Sequence, residues 1–380
     1  MSDFAAVNVV AVVVGLLLVS WVLKDTFQTL LATNLRPGRF SLTRSYYRVL
    51  WRTYRAICVR LKSEKTREKW LGVFGPASFL GLLIVWVLLE IFGWGLVCWG
   101  LRDGFGTELS SFADAWYYAG VVYFSVGFGD ILPATGFLRF LTILGALSGL
   151  GTLGLVIGFL PTLNSAYSAR EKQLLLLDDL SDDRITPVSM VSAQAGPDRD
   201  LARLEEMFDE WAIWCAEVYD THTSLPMLMW FRSKHRGNSW ITGLGVITDA
   251  ATAYIAAVPG SEYGAANRLH RQAERMMNGL GALVGIEPKA DLGPIPEHWW
   301  RIAYDDLAAS GLELREFNES LDLLVELRYK VQPMIEAFID ELLTPRGFWG
   351  VTAADHLAPS ETPTNVSSET LLDEVEDLGS

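Results

Sequence analysis

The stretch "AGVVYFSVGFGDILP", Ala119–Pro133, lies between two long apolar runs and puts glycine at alternate positions, Gly127 and Gly129, in the most hydrophobic part of the chain. Glycine reaches positive φ without steric cost, so alternate glycines let consecutive carbonyls of an extended strand turn to one side. A row of carbonyl oxygens of that kind can replace the hydration shell of an ion. Just upstream, Ser111 and Asp114 have the spacing of a capping box, and the apolar stretch Phe112–Tyr123 follows, which predicts a short helix. Twelve residues are too few to span a bilayer. A helix that enters and stops partway is tolerated only where protein or water satisfies its ends, because irregular backbone cannot face lipid.

Working outward, three runs are long and apolar enough to cross: Val7–Leu23, without a charge; Pro76–Leu101, with Glu90 alone; and Phe140–Leu160, without a charge. The first reads as a retained helix rather than a cleaved leader. It lacks a basic start, and Lys24-Asp25 follows instead of a small-residue cleavage site. Between Ala32 and Lys69 there are 11 Lys/Arg against 2 acids, whereas Arg102–Arg139 carries 2 bases and 4 acids. The positive-inside rule therefore places 32–69 in the cytoplasm, the N-terminus and the Arg102–Arg139 loop outside, and everything after Pro161 inside, in a multi-pass cell-membrane protein.

Within the basic segment Arg44, Arg48, Arg52 and Arg55 recur at spacings of four, four and three, as in a helix lying at the inner interface. Two readings stand: the charges only set topology, or the segment 36–69 also binds anionic lipid. From Pro161 onward there are 17 Lys/Arg and 36 Asp/Glu, which marks a separate acidic, soluble region. Helical periodicity over Leu201–Tyr219, Ala265–Val284 and Leu314–Leu343 makes it all-helical. The expected organisation is an N-terminal membrane helix (1–31), a basic connector (32–69), a pore domain (70–165), a linker (166–200), a helical cytosolic domain (201–350) and a disordered acidic tail (351–380). Cys58, Cys98 and Cys215 form no CxxC pair, and His222 reads as a packed or capping residue. No catalytic or nucleotide-binding motif stands out, so neither an enzyme nor a cofactor or nucleic-acid partner is expected.

Residues Ser125–Asp130, "SVGFGD", resemble the selectivity filter of potassium channels. The resemblance covers outer helix, pore helix, filter and inner helix over about Pro76–Pro161, and includes the Gly129-Asp130-x-x-Pro133 exit. With the extra N-terminal span and helical C-terminus, the layout is similar to bacterial two-transmembrane pore-loop "ion channel 2" proteins. The resemblance implies a homotetramer, since each chain has one pore loop and four are needed. It also implies an ion-conducting filter of Ser125, Val126, Gly127, Phe128 and Gly129, with potassium at the first four, and an inner-helix hinge at Gly149, where close helix packing is the competing reading. Ser125 stands where threonine is usual and Phe128 where tyrosine is commoner. Val121 occupies a position that holds glutamate in some members, so Asp130 needs another partner, with Tyr117 as a candidate; Asp130, Tyr117 and Tyr118 are the expected support of the filter mouth. The filter is expected to be less firmly braced than in channels with tyrosine and glutamate there.

Two further expectations concern the inner helix and Glu90. Pro161 should end the inner helix, and Phe159 or Leu160 should form an apolar gate that closes by expelling water. Glu90 is either functional, as an ionisable group in a membrane span, or held by a hydrogen bond to a neighbouring helix or an interfacial water. No span carries the repeated arginines of a voltage sensor, so gating falls to the cytosolic domain. The alternative function is a membrane-anchored sensor or scaffold whose pore is vestigial or non-selective.

Overall fold

The computed structural model describes residues 2–31, 41–179, 187–194, 201–233, 239–293 and 295–344; the expected acidic tail and parts of the expected linker lie outside them. The described chain is all-α, with helices α1 (Ser2–Leu30), α2 (Leu42–Cys58), α3 (Glu64–Gly100), α4 (Phe112–Tyr123), α5 (Gly136–Asp179), α6 (Pro187–Gln194), α7 (Leu201–Ser224), α8 (Trp240–Ala257), α9 (Ala265–Val284), α10 (Glu297–Ala309) and α11 (Phe317–Leu342). Four helices have the length and apolarity to span a membrane: α1, α3, α5 and α8. Within α8 every residue except Val246 is buried by other helices of the chain, so α8 is the central core helix of the C-terminal region. The other three leave broad apolar faces exposed, as membrane spans do.

Helices α1 and α3 run antiparallel at close range. A Cβ on Gly15 would come within 2.5 Å of the Gly93 carbonyl, and one on Gly93 within 2.7 Å of Val19. Small residues let two membrane helices approach in this way, where van der Waals packing takes the place of a hydrophobic drive. At the α1 C-terminal end, buried Asp25 turns the chain into α2. Its carboxylate accepts from Ser41 Oγ (2.9 Å), the Leu42 and Thr43 amides (2.9 and 3.0 Å), Thr43 Oγ1 (2.6 Å) and Trp86 Nε1 (3.2 Å). These bonds satisfy amides that the start of a helix leaves without partners, and a negative charge suits that end of the dipole. They fasten the arginine-bearing helix to the membrane bundle.

Two expectations are corrected. The inner helix does not end at Pro161; α5 continues to Asp179. Proline removes its own amide from the ladder and crowds the carbonyl four residues back, a local cost that the continuation offsets by burying Leu163, Arg170 and Leu174 on one face against the C-terminal helices. The C-terminal region is also not separate. One hydrophobic core joins Trp51 and Cys58 of α2, Leu71 and Phe74 of α3 and Leu174 of α5 to Trp211, Leu244, Met277 and Phe338. Helix α2 is therefore held between the membrane bundle and this region, with Tyr47 stacked on Trp230 at 4.9 Å.

Candidate ion-conduction site

Helix α4 begins with the expected capping box. The Ser111 amide donates to Asp114 Oδ2 at 2.8 Å, and the Asp114 amide donates to Ser111 Oγ at 3.4 Å. Ala115, Tyr118, Ala119 and Tyr123 form its buried face. At the far end the amides of Phe124, Ser125 and Val126 fold back onto the carbonyls of Gly120, Val122 and Val121 (3.0, 2.9 and 2.9 Å), so three of the carbonyl acceptors near the helix end are satisfied as the chain leaves it.

From there φ is positive at every second residue: +54° at Ser125, +64° at Gly127 and +79° at Gly129. In an ordinary strand carbonyls alternate from side to side; left-handed residues at alternate positions cancel that alternation. Ser125 pays a steric cost of about 1–2 kcal/mol that glycine does not. Nothing lies within 4 Å of where a Cβ on Gly127 or Gly129 would stand, and Val126 and Phe128 are exposed, so one chain leaves this strand uncovered. Its exit is braced. Thr107 Oγ1 donates to the Asp130 carbonyl (3.3 Å), the Gly106 amide to Leu132 O (2.9 Å) and the Ala134 amide to Gly104 O (3.0 Å). The Tyr117 side chain lies beside that of Asp130. Tyr118 turns away from the strand; its hydroxyl meets Thr142 Oγ1 of α5 at 2.8 Å and ties α4 to the inner helix.

Behind the strand, Glu90 of α3 is wholly buried where α3, the end of α4 and α5 meet. Thr152 Oγ1 donates to its Oε1 at 3.0 Å, and the Tyr123 hydroxyl faces the carboxylate without closing a bond of normal geometry. Gly149 sits beside the same junction. A Cβ there would overlap the Tyr123 carbonyl oxygen and come within 2.9 Å of its carbon. Within the unbroken α5, Gly149 acts as a close-packing position rather than a break in the helix. The two residues expected at a gate part company: Phe159 is buried against Phe79 of α3, with ring centroids 5.9 Å apart, while Leu160 remains 45% exposed. Successive helical residues lie about 100° apart, so the two cannot share one constriction, and Phe159 does not face an open surface.

Sequence reasoning missed the joint at Arg170. This guanidinium, 2% exposed, donates through Nε and Nη2 to Glu171 Oε1 (3.0 and 2.9 Å), through Nη1 to Leu228 O (3.0 Å) and through Nη2 to Phe231 O (2.8 Å). Nη1 also lies 3.2 Å from His222 Nε2. A guanidinium has no acceptor, so Nε2 accepts and the imidazole is neutral, with its proton on Nδ1. Burial and the Arg170 charge hold the His222 pKa well below the usual histidine value. In sequence Arg170 opens the ordinary-looking "REK"; its one signal is helical register with Leu163 and Leu174. The joint makes the continuation of α5 one body with α7 and the turn after it.

Residues 82–164 match the family described as "Ion channel", a span that takes in Glu90, α4, the Ser125–Gly129 strand and α5 as far as Asn164. The chain is also 25% identical over 268 residues to the Bacillus subtilis "Uncharacterized membrane protein YdjJ", covering 70% of this chain and 74% of that protein. No solved structure matches it significantly. The stretch similar to ion channels is thus the one whose backbone carries the alternating positive φ, and the chain as a whole is a membrane protein.

Proposed function

We propose that four copies of the chain surround one axis and form a potassium-selective channel, with ions held by carbonyls and the hydroxyl along Ser125, Val126, Gly127, Phe128 and Gly129. The observation that carries this reading is the positive φ at Ser125, Gly127 and Gly129 on a strand that a single chain leaves uncovered. Neighbouring copies supply the missing sides of such a strand. The charge bias puts the filter mouth and N-terminus outside and the C-terminal helices in the cytoplasm. Conduction is set by those helices, because the Arg170 joint passes any displacement of α7 into α5 and so to Leu160 and the filter.

Potassium efflux from potassium-loaded proteoliposomes, with a protonophore to carry the compensating charge and an external potassium electrode as the readout, tests the reading. The parent should release potassium, and Gly127→Ala should not, since a Cβ at φ +64° costs about 1–2 kcal/mol in each subunit. No efflux from correctly assembled parent protein would contradict it.

A further inference from the structure

A cavity of about 740 Å³ opens between α2 on one side and the C-terminal helices on the other. Its α2 wall is the arginine row Arg44, Arg48, Arg52 and Arg55. The opposite wall is largely apolar, with Met227, Met229, Trp230 and Phe338, and Thr223 and Ser224 at its edge. The end arginines are structurally committed. Arg44 Nη2 donates to Leu283 O at 3.0 Å, and Arg55 donates to the carbonyls of Glu341 (3.1 Å) and Asp340 (2.9 Å). Two of the three lining carboxylates are committed as well: Glu341 accepts from Trp51 Nε1 (3.0 Å), and Asp340 pairs with Lys289 (2.6 Å). Between these fixtures Arg48 and Arg52 line the cavity, exposed and without an ion pair among the described residues, and Glu287 is the one lining carboxylate that has no pairing of its own. Trp230 adds a buried indole N–H that lacks a hydrogen-bond acceptor.

Two guanidinium groups one helical turn apart on the same face repel each other, and an anion between them reverses that penalty. Planar forks of donors match phosphate oxygens in pairs. The apolar wall opposite suits a ligand that carries a hydrophobic or aromatic portion beside its charge. We propose that this cavity is a binding site for a phosphate-bearing amphipathic anion, engaged by Arg48 and Arg52 and covered on its far side by Trp230 and the methionines. An anionic lipid headgroup and a soluble nucleotide share that chemistry. The bound anion bridges α2, which Asp25 fastens to α1, and the C-terminal helices, which Arg170 fastens to α5. It is therefore placed to control the pore; that part rests on the channel reading, while binding itself does not.

The test uses the full chain, purified in detergent, with two probes in parallel: phosphatidic acid in mixed micelles, and ATP in solution. Melting temperature and equilibrium binding are followed for the parent, for Arg48→Gln with Arg52→Gln, for each single variant, and for Arg60→Gln. Arg60 lies beyond the end of α2 and outside the cavity, so it reports general surface charge. The expected result is saturable stabilisation of the parent by one probe, weakened about tenfold or more by each cavity arginine removed and unchanged in Arg60→Gln. Because Arg48 and Arg52 have no ion pair among the described residues and repel each other, the unliganded melting temperature of the variants should not fall below the parent value. A response to phosphatidic acid alone assigns a lipid headgroup, and a response to ATP alone assigns a soluble phosphate. Silence with both probes, or equal weakening by Arg60→Gln, overturns the site. Binding with the expected variant pattern but no change in ion flux leaves the site intact and counts against the gating part.

Discussion

Replacing Gly149 by alanine separates two accounts of the inner helix by the sign of the effect. If Gly149 served only as a point of flexibility in α5, alanine would stiffen and stabilise the helix by about 0.5–1 kcal/mol. The structure gives the opposite sign. The new Cβ would overlap the Tyr123 carbonyl oxygen and stand 2.9 Å from the carbonyl carbon and 3.0 Å from Cγ of the same residue. Most of that obstacle is backbone, in the last residue of α4 and two positions before Ser125. Relief requires α4 or α5 to move, and overpacking of this kind costs about 1–3 kcal/mol, which outweighs the gain in helix propensity. Gly72→Ala in α3, where nothing lies within 4 Å of the added methyl, is the matched control. Thermal unfolding in detergent, with potassium flux measured on the same samples, should show Gly149→Ala less stable than Gly72→Ala and deficient in flux, since the displaced Tyr123 leads into the Ser125–Gly129 strand. A Gly149→Ala protein as stable as the control, with parental flux, would refute the reasoning.

Other outcomes follow from single contacts. Thr152→Val should destabilise by about 1–3 kcal/mol because Glu90 keeps its burial and loses its donor, and adding Glu90→Leu should recover most of that loss in the same melting assay. Leu160→Asp should assemble and raise open probability in single-channel records, whereas Phe159→Asp, placed in the buried contact with Phe79, should reduce the yield of folded protein. For pH, the folded pKa of His222 lies below its ordinary 6.5, so its contribution is complete above that value and is lost as pH falls from there toward the folded pKa. The unfolding midpoint should therefore drop on acidification below about pH 6.5, and His222→Gln should flatten that part of the profile.

Much of the membrane half was legible in the sequence because its signals are local. The Ser111–Asp114 cap, the apolar Phe112–Tyr123 and the alternate glycines each follow from a few neighbouring residues, and α4 occupies the expected range. Tyr117, the candidate partner for Asp130, lies beside it, while the hydroxyl of Tyr118, expected as support for the filter mouth, bonds Thr142 of α5, a choice fixed by the rotation of α4 and absent from local pattern. The errors arose where tertiary contacts overrode local rules. Pro161 argued for an end to the helix, yet burial of Leu163, Arg170 and Leu174 carries α5 onward. Phe159 and Leu160 looked equivalent as gate residues until the position of α3 distinguished them. Asp25 was read only as a charge following an apolar run, because the donors it gathers come from residues 41–43 and 86. Acidic composition suggested an independent C-terminal domain, and composition says nothing of Trp51, Phe74 and Leu174 sharing its core.

The measurement that bears most directly on the central claim is the reversal potential of purified protein in planar bilayers under opposed potassium and sodium gradients. A potassium-selective pore gives a reversal close to the potassium equilibrium potential, with current abolished in Gly127→Ala, where the strand has a φ of +64°. A reversal near zero, showing equal passage of the two ions, would contradict it.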